Sequence, residues 1–286
     1  MSDQHPPTVA HGGAATDGES AVWEGHARPT LPVALDPHER DAVFVREALL
    51  DIRGSGRDSY RVIVEIFLGR KSSHVQMIRL AYQRRFKRQL DKDILDSEPS
   101  HAFQKILVAL GASHRAHQVE VSQHIAKCDA RRLYGTGEGS SSGSIDEGVV
   151  LEIISKRSIP QLKLTFLNYT QIYGHSYSKW LKGKSGREFE DALCTVVKCV
   201  VNPSQYYAKL LYASIKENPM TERGRKEVVR VLMSRAGIDL DDIKAAFRRR
   251  HGMELEDAIR QNIKPKECRE YLIELAEAKN QFPCRI

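Results

Sequence analysis

From residue 36 onward, apolar side chains recur at three- and four-residue spacing, the period of helices that bury one face. The first such stretch, DPHERDAVFVREALLDI, opens on Asp-Pro, a helix-start signal. No stretch shows the two-residue alternation of half-buried strands, so the chain is predicted to be all-α. The first 35 residues break this pattern: they are rich in Gly, Pro, Ser, Ala and His, with Trp23 and a few aliphatics as their apolar content. Such a segment buries too little to offset its ordering entropy, and a disordered tail is expected over 1–35.

The helical pattern repeats. Three segments come into register on Arg70, Arg157 and Arg235, at intervals of 87 and 78 residues. Each arginine is preceded at minus seven, minus four and minus three by apolar residues: Ile63, Ile66 and Phe67; Val150, Ile153 and Ile154; Val228, Val231 and Leu232. Five residues after it come Val75, Leu162 and Leu240; twelve after it Tyr82, Tyr169 and Phe247; twenty after it Leu90, Tyr177 and Leu255. A last helix is predicted near Phe103, Phe189 and Cys268, giving four or five short helices per unit. These intervals exceed the ~34–47 residues of two-helix solenoid repeats. The longer first interval holds HQVEVSQHIAKCDARRLY, expected to be an extra connecting helix. An arginine at the end of an apolar helix can satisfy the last carbonyls and suit the helix dipole.

Composition narrows the partners. The net charge of +7 over 286 residues favours acidic ones: anionic lipid, nucleic acid or acidic protein. The five cysteines are odd in number and form no CxxC pair, which indicates neither a disulfide framework nor a zinc site. No apolar run approaches the ~20 residues of a membrane span, and the N-terminus lacks the basic and apolar blocks of a secretory signal. A cytoplasmic location is the expectation.

Several multi-residue strings then carry a resemblance. DPHERDA at 36–42, VIVEI with the following arginine-serine turn and AYQRRF at 62–86, AKCDARRLY at 126–134, EFEDALCTVVKCVVNPSQYYAKLLYASI at 188–215 and SRAGIDLDDIKAAFRRRHGMELEDAI at 234–259 resemble the annexins, and plant annexins most closely. The resemblance implies an all-α disc of annexin-like repeats of about five helices each, bound peripherally to acidic phospholipid membranes through calcium. In the family, calcium is held by loops of the form G-x-G-T-[DE] together with a carboxylate about 39 residues beyond the threonine, supplying part of the six to eight oxygens the ion takes. Of the family's four repeats around a central polar channel, the segments match the second at 36–110, the third with its connector at 111–215 and the fourth at 216–286. Without the first repeat, the last is expected to expose an apolar face, which would favour self-association.

The calcium loops depart from the family pattern. In the middle repeat Ser144, Ile145, Asp146 and Glu147 stand where G-T-D-E belongs, and the position 39 residues after Ile145 is Lys184. In the last repeat Glu222 and Arg223 replace Gly-Thr, and Asn262 lies near the carboxylate position. In the first, Gly54-x-Gly56 persists with Asp96 or Glu98 near the required distance, which is either a residual calcium site or a helix stop with a flexible turn. Calcium dependence is therefore expected to be weakened or lost. Two basic clusters, Arg84, Arg85, Lys87 and Arg88, and Arg248, Arg249 and Arg250, occupy equivalent helices. They are either solvated helix faces or contacts to an anionic leaflet or nucleic-acid phosphates.

A basic helical protein that binds nucleic acid or another protein is the alternative reading, although RNP aromatics, GXXG and zinc-finger patterns are missing. Enzyme motifs are missing too: HExxH, GxSxG and GxxxxGK[ST] do not occur, and His114, His117 and His124 have no matching acidic or thiol cluster. No catalysis is expected.

Overall fold

The computed structural model of the chain describes residues 35–53, 59–97, 102–112, 115, 120–141, 143–184, 187–216 and 221–278. The predicted disordered tail, apart from residue 35, lies outside them. Among the described residues there are fifteen α-helices and no strand. They fall into three sets of five, each running in the same order.

The first set is α1 (Pro37–Arg53), α2 (Tyr60–Leu68), α3 (Ser72–Phe86), α4 (Leu90–Ser97) and α5 (Phe103–Gly111). The second is α6 (Gln123–Gly135), α7 (Glu147–Lys156), α8 (Ile159–Tyr173), α9 (Tyr177–Lys182) and α10 (Glu188–Val201). The third is α11 (Pro203–Lys216), α12 (Glu222–Arg235), α13 (Leu240–His251), α14 (Leu255–Asn262) and α15 (Lys266–Glu277). In each, the first helix packs along the third: α1 on α3, α6 on α8, α11 on α13. Every apolar position aligned on the recurring arginines is buried. The helical period thus marks the core-facing stripe of each unit.

Two expectations about organisation need correction. Within the stretch expected to hold an extra connecting helix, the helix that forms is α6, which begins only at Gln123 and is the first helix of the middle unit, because it packs on α8 as α1 packs on α3. The expected boundary at 215/216 falls at the C-terminal end of α11, yet α11 packs on α12, α13 and α14, so by packing the third unit begins at Pro203.

The recurring arginines do more than close helices. Arg70 donates to both carboxylate oxygens of Asp41, at 2.6 and 3.2 Å, and Arg157 does the same to Asp129, at 2.7 and 3.1 Å. Asp41 and Asp129 occupy equivalent places on α1 and α6, each followed by a fully buried alanine, Ala42 or Ala130. On α11 the equivalent residue is Tyr207, before Ala208. There Arg235 lays its guanidinium 4.8 Å from the Tyr207 ring centroid and takes its carboxylate from Asp239 instead, at 2.6 and 2.7 Å. Bidentate geometry of this kind fixes orientation as well as charge.

The exposed apolar face expected on the last repeat is also corrected. Among the described residues no large hydrophobic side chain of α11–α15 is exposed; the exposed ones, such as Leu80 and Leu95, belong to the first two units. Instead α12 meets α1. Burial there raises the Glu47 carboxyl, against the opposing pull of Lys226, and Arg230 of α12 reaches Glu65 of α2 at 2.6 Å. The apolar face on which self-association was expected is therefore not found among the described residues of α11–α15.

Candidate functional site

The connection between α6 and α7 is where the middle unit departs from the expected calcium loop. Thr136 ends α6, its hydroxyl donating to the Arg132 carbonyl at 2.7 Å, and its own carbonyl accepts from the Asp146 amide at 2.8 Å, which closes the loop. Gly137 lies so close to the Trp180 ring that a Cβ there would sit 2.8 Å from it. Glu138 is pinned from the other side: the Tyr169 hydroxyl donates to it at 2.8 Å and His175 Nε2 lies 3.0 Å away. Burial and the Glu138 carboxylate raise the Tyr169 phenol above its usual range.

The turn into α7 carries the residues expected at the calcium-loop positions. Gly143 adopts φ +58°, in the left-handed region that glycine enters without steric cost. The Lys184 ammonium lies 3.5 Å from the place a Gly143 Cβ would occupy. Asp146 is the N-cap of α7, its carboxylate accepting from the Val149 amide at 3.2 Å. Glu147 accepts from Lys105 Nζ of α5 at 2.5 Å, and Ser144 is exposed. Replacing a side-chain cap by alanine costs about 1 kcal/mol, so Asp146→Ala is expected to lower the unfolding free energy by that amount; an unchanged urea midpoint would sink the capping role.

In the third unit the corresponding helix start is capped by Thr221, which accepts from the Gly224 amide at 3.0 Å, and Glu222 pairs with Lys226 at 2.8 Å. Asn262 donates back to the Ala258 carbonyl at 2.7 Å. In the first unit Gly54, Gly56 and Glu98 lie outside the described residues, and Asp96 is exposed on α4. Among the described residues no group of three His, Cys, Asp or Glu side chains is placed to hold a metal ion.

The basic clusters divide on inspection. Arg84, Arg85 and Lys87 are exposed at the C-terminal end of α3, and Arg249 and Arg250 are exposed on α13. Arg88 is committed elsewhere, donating through Nε to Asp93 at 2.7 Å, and Arg248 pairs with Glu254 at 3.2 Å. Asp93 is the centre of its own buried cluster, accepting also from Tyr82 at 2.6 Å and Arg46 at 3.0 Å. Burial and that bond push the Tyr82 phenol up to about 12.

The residues missed by sequence reasoning are Lys105, Glu138 and Asp93. Lys105 is 42 positions before Glu147 and Glu138 is 31 before Tyr169, separations that no helical period signals.

Known proteins share this fold. The family model described as Annexin matches residues 52–110. Human Annexin A3 is 32% identical over 253 residues, covering 88% of this chain and 75% of that protein. Mouse Annexin A1 is 32% identical over 236 residues, covering 82% of this chain, which spans 65% of the mouse protein's length. A solved structure of annexin III superposes with a TM-score of 0.75 at 29% identity, over 87% of this chain and 74% of that one. With its five-helix units in the same order and this similarity over most of its length, the chain belongs to the annexin family.

Proposed function

We propose that this chain binds acidic phospholipid surfaces peripherally, with the calcium contribution of its middle repeat weakened or lost. The observation that carries this reading is the Lys184 ammonium beside the Gly143 turn. Calcium takes six to eight oxygens, whereas here an ammonium stands at the turn and both nearby carboxylates are engaged, Asp146 by the helix it caps and Glu147 by Lys105. These residues do not fit a calcium shell.

The attraction to lipid then falls to the exposed Arg84, Arg85, Lys87, Arg249 and Arg250. Each basic group close to an anionic leaflet contributes roughly 1 kcal/mol, and the gain fades with salt over a Debye length of about 10 Å at 0.1 M. Co-sedimentation with phosphatidylserine vesicles, with and without calcium and at low and high salt, tests the reading. Pelleting is expected to need low salt rather than calcium, and Arg84→Glu with Arg85→Glu to abolish most of it. Lys184→Glu is expected to increase the calcium-dependent fraction. Wild-type binding that requires calcium and survives high salt would overturn the weakened-calcium reading, and absence of pelleting in every condition would overturn lipid binding itself.

A further inference from the structure

Between the second and third units lies a cleft of about 470 Å³, within the size range of small-molecule sites. It is lined by residues of α8, α9, α10 and α11, together with Arg61 of α2 and Arg250 of α13. Three features distinguish it. Its cations include Lys182, Lys198, Lys209 and Arg250, and no aspartate or glutamate is among its described lining residues. It has an apolar wall, with Phe166, Leu167, Val197 and Leu210 among the lining residues. Tyr177, only 1% exposed, also lines it, and its hydroxyl has no hydrogen-bond partner among the described residues.

Each feature constrains the occupant. A concentration of cations without counter-carboxylates favours an anion, and a phosphate monoester, at about −1.5 to −2 near neutral pH, answers several ammonium groups at once. The apolar wall selects against a bare anion, since apolar surface is stabilising only where a tail covers it. A buried phenol without a partner is destabilising, and an acceptor oxygen on the ligand would relieve it. A bilayer presents many heads side by side and no single tail, whereas a cleft of this size admits one amphiphile.

We propose that the cleft binds a single-chain lipid carrying a phosphate monoester head, without calcium. The Lys198 and Lys209 side chains would hold the head, the Phe166 and Leu210 side chains the tail, and the Tyr177 hydroxyl would donate to a head oxygen. This site is separate from the exposed clusters of α3, although Arg250 adjoins both readings.

The test uses the full chain carrying Trp23→Phe, so that Trp180, whose ring centroid is 5.5 Å from that of Tyr177, is the sole indole. Monomeric lysophosphatidate, below its critical micelle concentration and with EGTA present, is titrated by fluorescence and calorimetry. Lysophosphatidylcholine of the same chain length and glycerol phosphate serve as tail-matched and head-matched probes. One saturable site is expected for lysophosphatidate, with both other probes weaker by about tenfold or more, a difference of about 1.4 kcal/mol. Lys198→Gln with Lys209→Gln, which removes both charges without reversing them, is expected to weaken binding by at least about tenfold at an unchanged melting midpoint. Tyr177→Phe is expected to weaken it several-fold. Equal affinity for lysophosphatidylcholine, equal affinity for glycerol phosphate, or binding indifferent to the lysine replacements would overturn the proposal. No bilayer and no calcium enter the experiment, so its failure is distinct from a failure of peripheral membrane binding.

Discussion

Arg230→Met is expected to lower the unfolding free energy by about 3–5 kcal/mol, the cost of leaving one member of a buried ion pair alone. Arg230 Nη1 lies 2.6 Å from Glu65 Oε2, and the side chains are 5% and 2% exposed, so solvent cannot take the place of either partner. Burial by itself would lower the Arg230 pKa, but Glu65 and Glu227 outweigh it and the guanidinium is held charged. The second oxygen of Glu65 accepts from Tyr206 at 2.5 Å, which aligns the carboxylate. With methionine in place, Glu65 keeps that bond and loses its counter-charge. A loss of this size moves the melting midpoint by an amount on the order of 10 °C. Glu65→Leu combined with Arg230→Met removes both charges and is expected to recover most of the loss, because well-packed apolar pairs often match buried ion pairs in stability. Urea denaturation of the two single variants and the double variant reads this as a coupling energy. A single variant within about 1 kcal/mol of the parent would show that the pair is not the constraint the geometry implies.

Asp93→Ala has the second-largest expected effect, and its signature is in its pH dependence. Burial alone would raise the Asp93 pKa, but the Arg88 and Tyr82 hydrogen bonds and the charges of Arg88 and Arg46 more than offset it, and the carboxyl is held below its usual range. A folded-state pKa below the unfolded value of about 3.9 means that the stabilisation is complete above that value and is lost as pH falls through the folded pKa. The variant is therefore expected to be less stable than the parent at pH 7 by about 1.5–3 kcal/mol, the range for bonds to an ionised group. The difference shrinks in acid, where the parent carboxyl is protonated and no longer contributes. Denaturation curves at pH 7 and near pH 3 check this; a deficit that stays constant across that span would assign the cost to packing instead of charge.

The repeat could be read from sequence because it is written in local spacings. Ile63, Ile66 and Phe67 and their equivalents sit on one helical face, and all are buried. The five-helix unit is harder to see in its second copy because α6 buries only Ala126, Asp129, Ala130 and Leu133, a much thinner apolar stripe than the Phe44, Val45, Leu49 and Ile52 of α1. The partners of the recurring arginines leave no local signal, since Asp41 and Asp129 precede them by 29 and 28 residues on other helices. At the candidate loop, the identities of Asp146 and Lys184 were legible, but the engagement of Glu147 by Lys105 was not, because a salt bridge between units leaves no trace in spacing. Among the basic residues, sequence put Arg88 with Arg84 and Arg85, and only the fold shows Arg88 turned to Asp93.

The pair that joins the first and last units has a consequence for how interchangeable the units are. Glu65 and Arg230 stand at the same place in their repeats, five residues before the recurring arginine, and Glu152 holds that place in the middle one, where it turns outward to Arg132. Helices α2 and α12 therefore meet through equivalent residues. Two identical copies meeting this way would set like charges against each other, which is what a self-matching contact between unlike charges cannot allow. Here one copy carries the acid and the other the base, so the assembly is keyed like a plug and socket. Grafting a copy of the first unit into the position of the third would put a carboxylate against a carboxylate, so a single position prevents either unit from standing in for the other while its own partner stays in place.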